Sequence, residues 1–308
     1  MDSLIELKFA AKKEDKKVVS VANAEDENIL QVVKMALEED LCQFLLVGDE
    51  LKIMELAKQI GLDLYNWREK VTIKHETDMT NIAQSAIRAV KQEQADIVMK
   101  GKIPTKKVLQ AVLHKEQGLR TGKVLSHVAA FEVPSQEKLV LLTDAAMNIA
   151  PDIQQKATIV KNAVKVAQNI GISLPKVAAL APVEVINPAM PSTVDAAALT
   201  QMQRRGQIEN CLLDGPLAFD NAVSKDAAAQ KGISSEVAGD ADILLVPSIE
   251  VGNALYKSFV YYAQAKVAAI ISGAKAPIVL TSRADPIESK LYSLSLAIMT
   301  ATPNRREL

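Results

Sequence analysis

A chain of 308 residues with 49% apolar side chains can fill the core of one large or two medium domains, and its 36 basic against 37 acidic residues leave no net field to hold nucleic acid or an anionic membrane. Any anionic ligand must therefore be met by local charge. The two cysteines, Cys42 and Cys211, form neither a disulfide framework nor metal-ligand spacing, which suits a reducing compartment and a cytoplasmic location. The opening MDSLIELKFAAKKEDKK has no apolar run ahead of a small-residue cleavage site, so it does not read as a secretory signal. Asp144, Lys257 and Lys266 interrupt the most apolar segments before they reach the roughly 18 residues a membrane helix needs, so a soluble protein is expected.

Short runs rich in Val, Ile and Leu alternate with longer amphipathic segments, the pattern of a largely parallel sheet covered by helices. Residues 17–22, 44–47, 71–74, 96–99 and 139–143 read as strands, and segments starting at Asp26, Glu50, Asp78 and Pro104 read as helices, several with an acid at the positive end of the helix dipole. After Asp144 the pattern restarts: a helix over 154–170, then strands over 177–180, 210–214, 243–247 and 277–281. Between them PVEVINPAMPSTVD carries Pro182, Pro188 and Pro191, which predicts a long loop directly after a strand. Such loops are where α/β proteins place ligands.

Lys100 to Lys123 contains seven basic residues and one acid, Glu116. In MKGKIPTKK a strand ends, Gly101 permits close backbone approach, and Pro104 suits the first turn of a helix whose free N–H groups attract phosphate. Lys100, Lys102 and Arg120 are thus either anion contacts or the solvated face of a helix; the Walker spacing is absent. In LLTDAAMN, Asp144 and Asn148 stand four apart past a strand and either face a cleft in a helical turn or cap one. Asp214 precedes Gly215 and Pro216, a combination predicting a strand end and a sharp turn. Ser248, Gly252 and Asn253 open or precede a helix carrying Lys257, which could position an anion. Ser126, beside His127 in an apolar run, faces ligand if the loop RTGKVLS does. The three histidines show no metal-ligand spacing. The strongest local signal is APIVLTSRADPIESKLYSLSLA, where a strand exits onto Ser282 and Arg283 before Pro286 opens a helix. A guanidinium there can polarise a carbonyl oxygen or hold phosphate and a hydroxyl can orient a nucleophile; the alternative is a cap and a surface ion pair.

KGKIPTKKVLQAVL, LRTGKVLSHVAAFEVP, LLTDAAMN, DGPLAFDNAVS, AGDADILLVPSIEVGNALYKS and TSRADPIESKLYSLSLA, in this order, resemble the phosphate acetyltransferase and phosphate butyryltransferase family nearly end to end, with LRTGKVLSH and SRADPIESK closer to the butyryl branch. The resemblance implies two α/β domains of the isocitrate/isopropylmalate dehydrogenase-like fold, expected at 1–143 plus 273–308 and at 144–272, with the active site in the interdomain cleft. It implies transfer of a short acyl group between coenzyme A and inorganic phosphate, with acyl phosphate as the other product, no metal, no tightly bound cofactor, and a homodimer or larger homo-oligomer. Ser282 would then hydrogen-bond the coenzyme A sulfur and Arg283 would stabilise charge on the carbonyl oxygen or phosphate. The acetyl branch has an Asp seven residues after the Ser; here that position is Ser289, leaving Glu288, about 100° away on the helix, and Asp285, in the preceding turn, as alternative bases. Acetyl specificity stays open. So do a metal- and NAD-dependent hydroxy-acid dehydrogenase on the same fold, although the chain has no Asp-x-x-x-Asp cluster, and a non-catalytic coenzyme A-binding regulatory module.

Overall fold

The computed structural model describes residues 1–282 and 285–302, which form two compact α/β units. The terminal unit runs from Ile5 to Lys123 and resumes at Ala268; the central unit comprises Val124–Val267 with Met1–Leu4. In the first passage through the terminal unit the elements are α1 (Leu4–Lys13), β1 (Val18–Ala22), α2 (Glu27–Glu38), β2 (Gln43–Gly48), α3 (Glu50–Gln59), β3 (Val71–His75), α4 (Met79–Lys91), β4 (Ile97–Lys100) and α5 (Thr105–Val112). The central unit holds β5 (Ser126–Glu132), β6 (Val140–Thr143), α6 (Ile153–Asn169), β7 (Lys176–Leu180), α7 (Pro191–Arg204), β8 (Leu212–Leu217), α8 (Phe219–Val223), α9 (Lys225–Gln230), β9 (Ile243–Leu245) and α10 (Ile249–Tyr261). The chain then passes through β10 (Lys266–Ser272), β11 (Ile278–Val279) and α11 (Ile287–Thr300).

Helix starts follow their capping chemistry. Asp26, Asp49 and Asp78 each accept backbone N–H groups of the first turn of α2, α3 and α4, and Asp152 with Gln155 closes a capping box on α6. Pro191 is the first residue of α7, where its missing N–H costs nothing, so the proline-rich loop ends one residue earlier at Met190. Ser224 separates α8 from α9 by accepting the Ala227 N–H and capping α9.

The terminal sheet has the order β3-β2-β1-β4-β11-β10, parallel throughout except for β10 against β11. From β1 the chain goes first to β2 and β3 on one side, then to β4 on the other. Loops leaving the carboxyl ends of β1 and β4 therefore diverge and open a crevice, the usual ligand position in an open parallel sheet. The central sheet has the order β5-β6-β9-β7-β8, with only the β5–β6 pair antiparallel. β6 lies beside β9 in the central unit, and the two compact units divide at Lys123/Val124. β8 also runs on through Gly215 and Pro216 to Leu217, with a register shift opposite Ala178 and Leu180, so the sharp turn expected after Asp214 is absent.

Among the described residues no helix is long and apolar enough to cross a membrane. Cys42 and Cys211 are both buried, and burial pushes both thiols up, that of Cys211 to about 11.

Two local devices hold the sheets. At the amino ends of β6, β7 and β9, Lys138 reaches Asp240 at 2.9 Å and Asp242 at 2.6 Å, Lys176 reaches Asp240 at 2.5 Å, and the Lys176 N–H donates to Asp242 at 2.8 Å. Hydrogen bonds from Lys176 and then Lys138 lower the Asp240 carboxyl from 3.8 to about 2. A carboxyl depressed on folding adds stability above its unfolded value, and that stability is lost as pH falls through the folded value. After discounting for an Asp240 side chain 35% exposed, its contribution is about 1 kcal/mol. Urea unfolding of Asp240→Asn is expected to show that deficit at pH 7 and its disappearance between about pH 4 and pH 2; a deficit constant with pH would contradict the ion-pair account.

The second device is Gly101. A Cβ placed there would lie 1.9 Å from the Asn23 carbonyl oxygen, because the chain after β4 is clamped onto the end of β1. Gly101→Ala is expected to lower unfolding stability by at least about 2 kcal/mol, since backbone rather than a flexible side chain must move; a change within about 0.5 kcal/mol in urea titration would show that the approach is not a constraint.

Candidate functional site

The clamp at Gly101 organises the crevice. Asn23, fully buried and in the left-handed region at φ 63°, ends β1. Its carbonyl accepts the Lys102 N–H at 2.8 Å, its side-chain amide donates to the Lys102 carbonyl at 3.0 Å, and the Gly101 N–H donates to the Ala22 carbonyl at 2.9 Å. Asn is among the few non-glycine residues that tolerate this backbone region. The result fixes Lys100 and Lys102 on either side of Gly101 at the rim of a cavity of about 100 Å³. Its lining combines Asp26, Asn28 and Ile29 from the start of α2 with Lys100, Gly101 and Lys102 after β4, Thr281 and Ser282 after β11, and Lys290 from α11.

Three ammonium groups and one carboxylate line this space. Lys100 is 7% exposed and donates to the Gly101 carbonyl at 3.3 Å; Lys290 is 2% exposed and donates to the Asp285 carbonyl. Burial pushes the Lys290 ammonium below its usual range, against the pull of Asp285 and Asp26. Thr281 is 7% exposed, and its hydroxyl finds no hydrogen-bond partner among the described residues. A small, cation-rimmed cavity with an unsatisfied hydroxyl, at the open ends of parallel strands, is chemically fitted to a small anion.

Ser282 is exposed; its N–H donates to the Asp285 carboxylate at 2.7 Å, and the Asp285 N–H returns to the Ser282 carbonyl at 3.3 Å. Glu288 is exposed and accepts the Tyr292 hydroxyl at 2.8 Å. Ser289 accepts the Ser293 hydroxyl through its carbonyl at 2.8 Å. Arg283 lies outside the described residues. Arg120, in the same unit, is exposed on the loop beyond α5 and does not line the cavity.

The remaining sequence candidates are in the central unit. Asp144, 3% exposed, accepts the Ala146 and Met147 N–H groups, both at 2.9 Å, and the Asn148 amide at 2.5 Å; Asn148 also donates to the Leu125 carbonyl at 2.8 Å. The two meet as expected, but in a bend rather than a helical turn, and the capping reading describes Asp144. Gly252 packs α10 onto this bend: a Cβ there would lie 2.6 Å from the Asp144 carbonyl oxygen. Ser126 is fully buried and accepts the Asn162 amide at 2.9 Å, so its hydroxyl serves the packing of β5 on α6. Asp214, half-buried in β8, accepts the Gly215 N–H at 2.9 Å. Asn253 and Lys257 are exposed on α10, with the Lys257 ammonium over the Tyr256 ring at 5.4 Å and the Tyr261 ring at 5.9 Å.

Of the predicted residues, then, the structure gathers Lys100, Lys102 and Ser282 around one cavity. Sequence reasoning missed Asn23, Asp26, Thr281 and Lys290. For Lys290 a signal existed: it falls on the spacing of Leu294, Ala297 and Ile298, the buried face of α11, where a lysine has no place without a task. Among the described residues no group of three or more His, Cys, Asp or Glu is arranged to hold a metal ion.

The family profile described as Phosphate acetyl/butaryl transferase matches residues 3–86 and 68–301. A Bacillus subtilis protein named as a probable phosphate butyryltransferase is 54% identical over 282 residues, 92% of each chain. A crystal structure of a branched-chain phosphotransacylase from Enterococcus faecalis is 41% identical and superposes with a TM-score of 0.81, covering 92% of this chain and 98% of its own. The 4-hydroxythreonine-4-phosphate dehydrogenase of Burkholderia phymatum, 12% identical with a TM-score of 0.54 over 94% of this chain and all of its own, shares the dehydrogenase-like fold alone. With profile matches spanning most of its length and such identities over nine-tenths of it, the chain belongs to the phosphate acetyl/butyryl transferase family.

Proposed function

We propose that the protein transfers a short-chain acyl group, butyryl or branched, between coenzyme A and inorganic phosphate. The observation that carries this reading is the cation-rimmed cavity ending on Ser282 in a chain 54% identical to a probable phosphate butyryltransferase. A phosphate oxygen attacks the thioester carbonyl, the carbon–oxygen bond forms, the carbon–sulfur bond breaks, and the departing thiolate takes a proton to give acyl phosphate and free coenzyme A. In reverse, the thiolate attacks the acyl phosphate. Either direction passes through a tetrahedral oxyanion, so donors aimed at that oxygen supply the largest catalytic contribution. Arg283 is assigned to that charge and Ser282 to the sulfur; no covalent enzyme intermediate is required, and binding both substrates together supplies proximity.

Asp285 and Glu288 are the carboxylates within reach in sequence. Asp285 is engaged with the Ser282 N–H and Glu288 with the Tyr292 hydroxyl, so each would have to be released or share its proton through that bond to act as base. Asp214, Asp144, Asn148, Asn253, Lys257, Arg120 and Ser126 are kept as substrate-binding candidates on their local sequence setting, with Asp144 and Ser126 held by the hydrogen bonds described above. The same reading takes coenzyme A as a substrate rather than a resident cofactor, and expects a cytoplasmic homodimer or larger homo-oligomer. Acetyl transfer is the second reading, since one methylene in an apolar pocket discriminates by only about 1–3 kcal/mol.

The direct experiment is phosphate-dependent thiol release from acetyl-, butyryl-, isobutyryl- and isovaleryl-CoA compared side by side. The four-carbon or branched thioesters are expected to give the highest kcat/KM; highest kcat/KM with acetyl-CoA would move the specificity to the acetyl reading, and no thiol release from any of them would end the proposal. In the same assay Arg283→Ala is expected to lower kcat by on the order of a hundredfold with the fold retained, the usual cost of removing an oxyanion partner; wild-type turnover would remove Arg283 from the chemistry.

A further inference from the structure

Four lysines are buried among the described residues: Lys17 donates to the Thr302 carbonyl at 3.4 Å away from the cavity, and Lys100 donates to the Gly101 carbonyl at its rim. Lys156, 6% exposed, is neutralised by Asp195 at 2.5 Å and ties α6 to α7. Lys290 is more deeply buried, yet its hydrogen bond goes to the Asp285 carbonyl, and no ion pair neutralises it among the described residues. A buried cation left without a counter-charge is costly, and it persists where a ligand or a neighbouring group supplies one. Lys290 faces the same space as Thr281, whose hydroxyl is more than nine-tenths buried and also lacks a described partner. A buried ammonium without an ion pair and a buried hydroxyl without a described partner, from α11 and the exit of β11, thus converge on one cavity.

Charge and size decide what would satisfy both. The lining carries three lysines, Lys100, Lys102 and Lys290, and one acid, Asp26, a balance that favours an anion over a cation. The cavity, about 100 Å³, has room for one tetrahedral oxyanion but not for the pantetheine arm and nucleotide of coenzyme A. Ser282, the residue assigned to sulfur, lies at the edge of the same cavity, so an anion seated on Lys290 and Thr281 stands beside the reacting thioester.

Resting on the acyl transfer proposed above, we infer that the Lys290 ammonium and the Thr281 hydroxyl are substrate contacts that bind the transferred phosphate: inorganic phosphate in one direction, the phosphoryl group of the acyl phosphate in the other. Lys290 donates to one phosphate oxygen and Thr281 to another. Neither residue is assigned to coenzyme A.

The test varies phosphate at saturating butyryl-CoA, and then butyryl-CoA at saturating phosphate, in the full chain and in Lys290→Met, Lys290→Arg and Thr281→Val. Lys290→Met is expected to raise KM for phosphate by at least about tenfold while KM for butyryl-CoA stays within about twofold, Thr281→Val to raise KM for phosphate by a smaller factor, and Lys290→Arg to recover part of the loss. Without turnover, inorganic phosphate is expected to raise Tm of the wild-type chain and to do so much less in Lys290→Met. An unchanged KM for phosphate, a rise confined to butyryl-CoA, or an equal phosphate-dependent Tm shift in Lys290→Met would each overturn the assignment. Should Lys290→Met fail to fold, Thr281→Val and Lys290→Arg decide by the same two readouts. Phosphate stabilisation that depends on Lys290 in a chain releasing no thiol would retain the phosphate site and overturn the acyl transfer instead.

Discussion

The contact on which the rest depends is the approach of Gly101 to the carbonyl of Asn23, where no side chain fits. Loops that leave paired parallel strands in different directions open a gap, and a gap alone binds nothing. The reciprocal hydrogen bonds between Asn23 and Lys102 convert it into a rigid rim, with the residues flanking the glycine fixed in position. The rim is completed by a segment far along the chain: β11 lies beside β4 with Val279 opposite Met99, so the residues leaving β11 emerge next to those leaving β4. α11 packs on α2, which carries Lys290 toward the same space. Sheet register, one glycine and one helix contact thus turn distant residues into one cavity.

Electrostatics then decides what the cavity is for. Lys290, which has no ion pair among the described residues, differs from the ion-paired lysines that hold the sheets. Lys138 and Lys176 are neutralised by Asp240 and Asp242 at the opposite, amino-terminal ends of central strands, where they secure architecture. Around the terminal-unit cavity the carboxylates are fewer: Asp26 caps α2 and Asp285 is turned to the Ser282 N–H. On the proposed function the positive charge of Lys290 and Lys102 would meet the substrate anion locally, as a chain of net charge -1 requires.

Much of the architecture was legible because it is written in short-range chemistry. Alternating apolar runs and acidic helix starts located most strands and helices, and Pro286 marked the start of α11, whereas Pro191 was read as loop although it opens α7. β5 and β10 escaped notice as strands because their runs adjoin loops and helices of similar hydropathy, and β8 was ended too early because Gly215 and Pro216 read as a turn although the strand passes through them. The site was legible in part for the same reason. Lys100, Lys102 and Ser282 stand at strand exits, which a periodicity reading can find; Asp26 was visible only as a helix start; Thr281 looked like strand; and Lys290 stands on the apolar spacing of α11, which by itself points to no cavity. What made those three part of a cavity is tertiary register, which no local pattern encodes. Conversely Ser126, an attractive hydroxyl in sequence, proved fully buried against Asn162, and Asp144 proved to organise a bend.

The central claim is that the crevice at the ends of β1, β4 and β11 is a phosphate seat, and a crystal structure of the chain with inorganic phosphate or butyryl phosphate tests it most directly. The account predicts a tetrahedral anion within hydrogen-bonding distance of Lys290 and Thr281 and beside Lys100 and Lys102. An anion bound elsewhere in the chain, with this crevice filled by solvent at a phosphate concentration that saturates the protein, would contradict it.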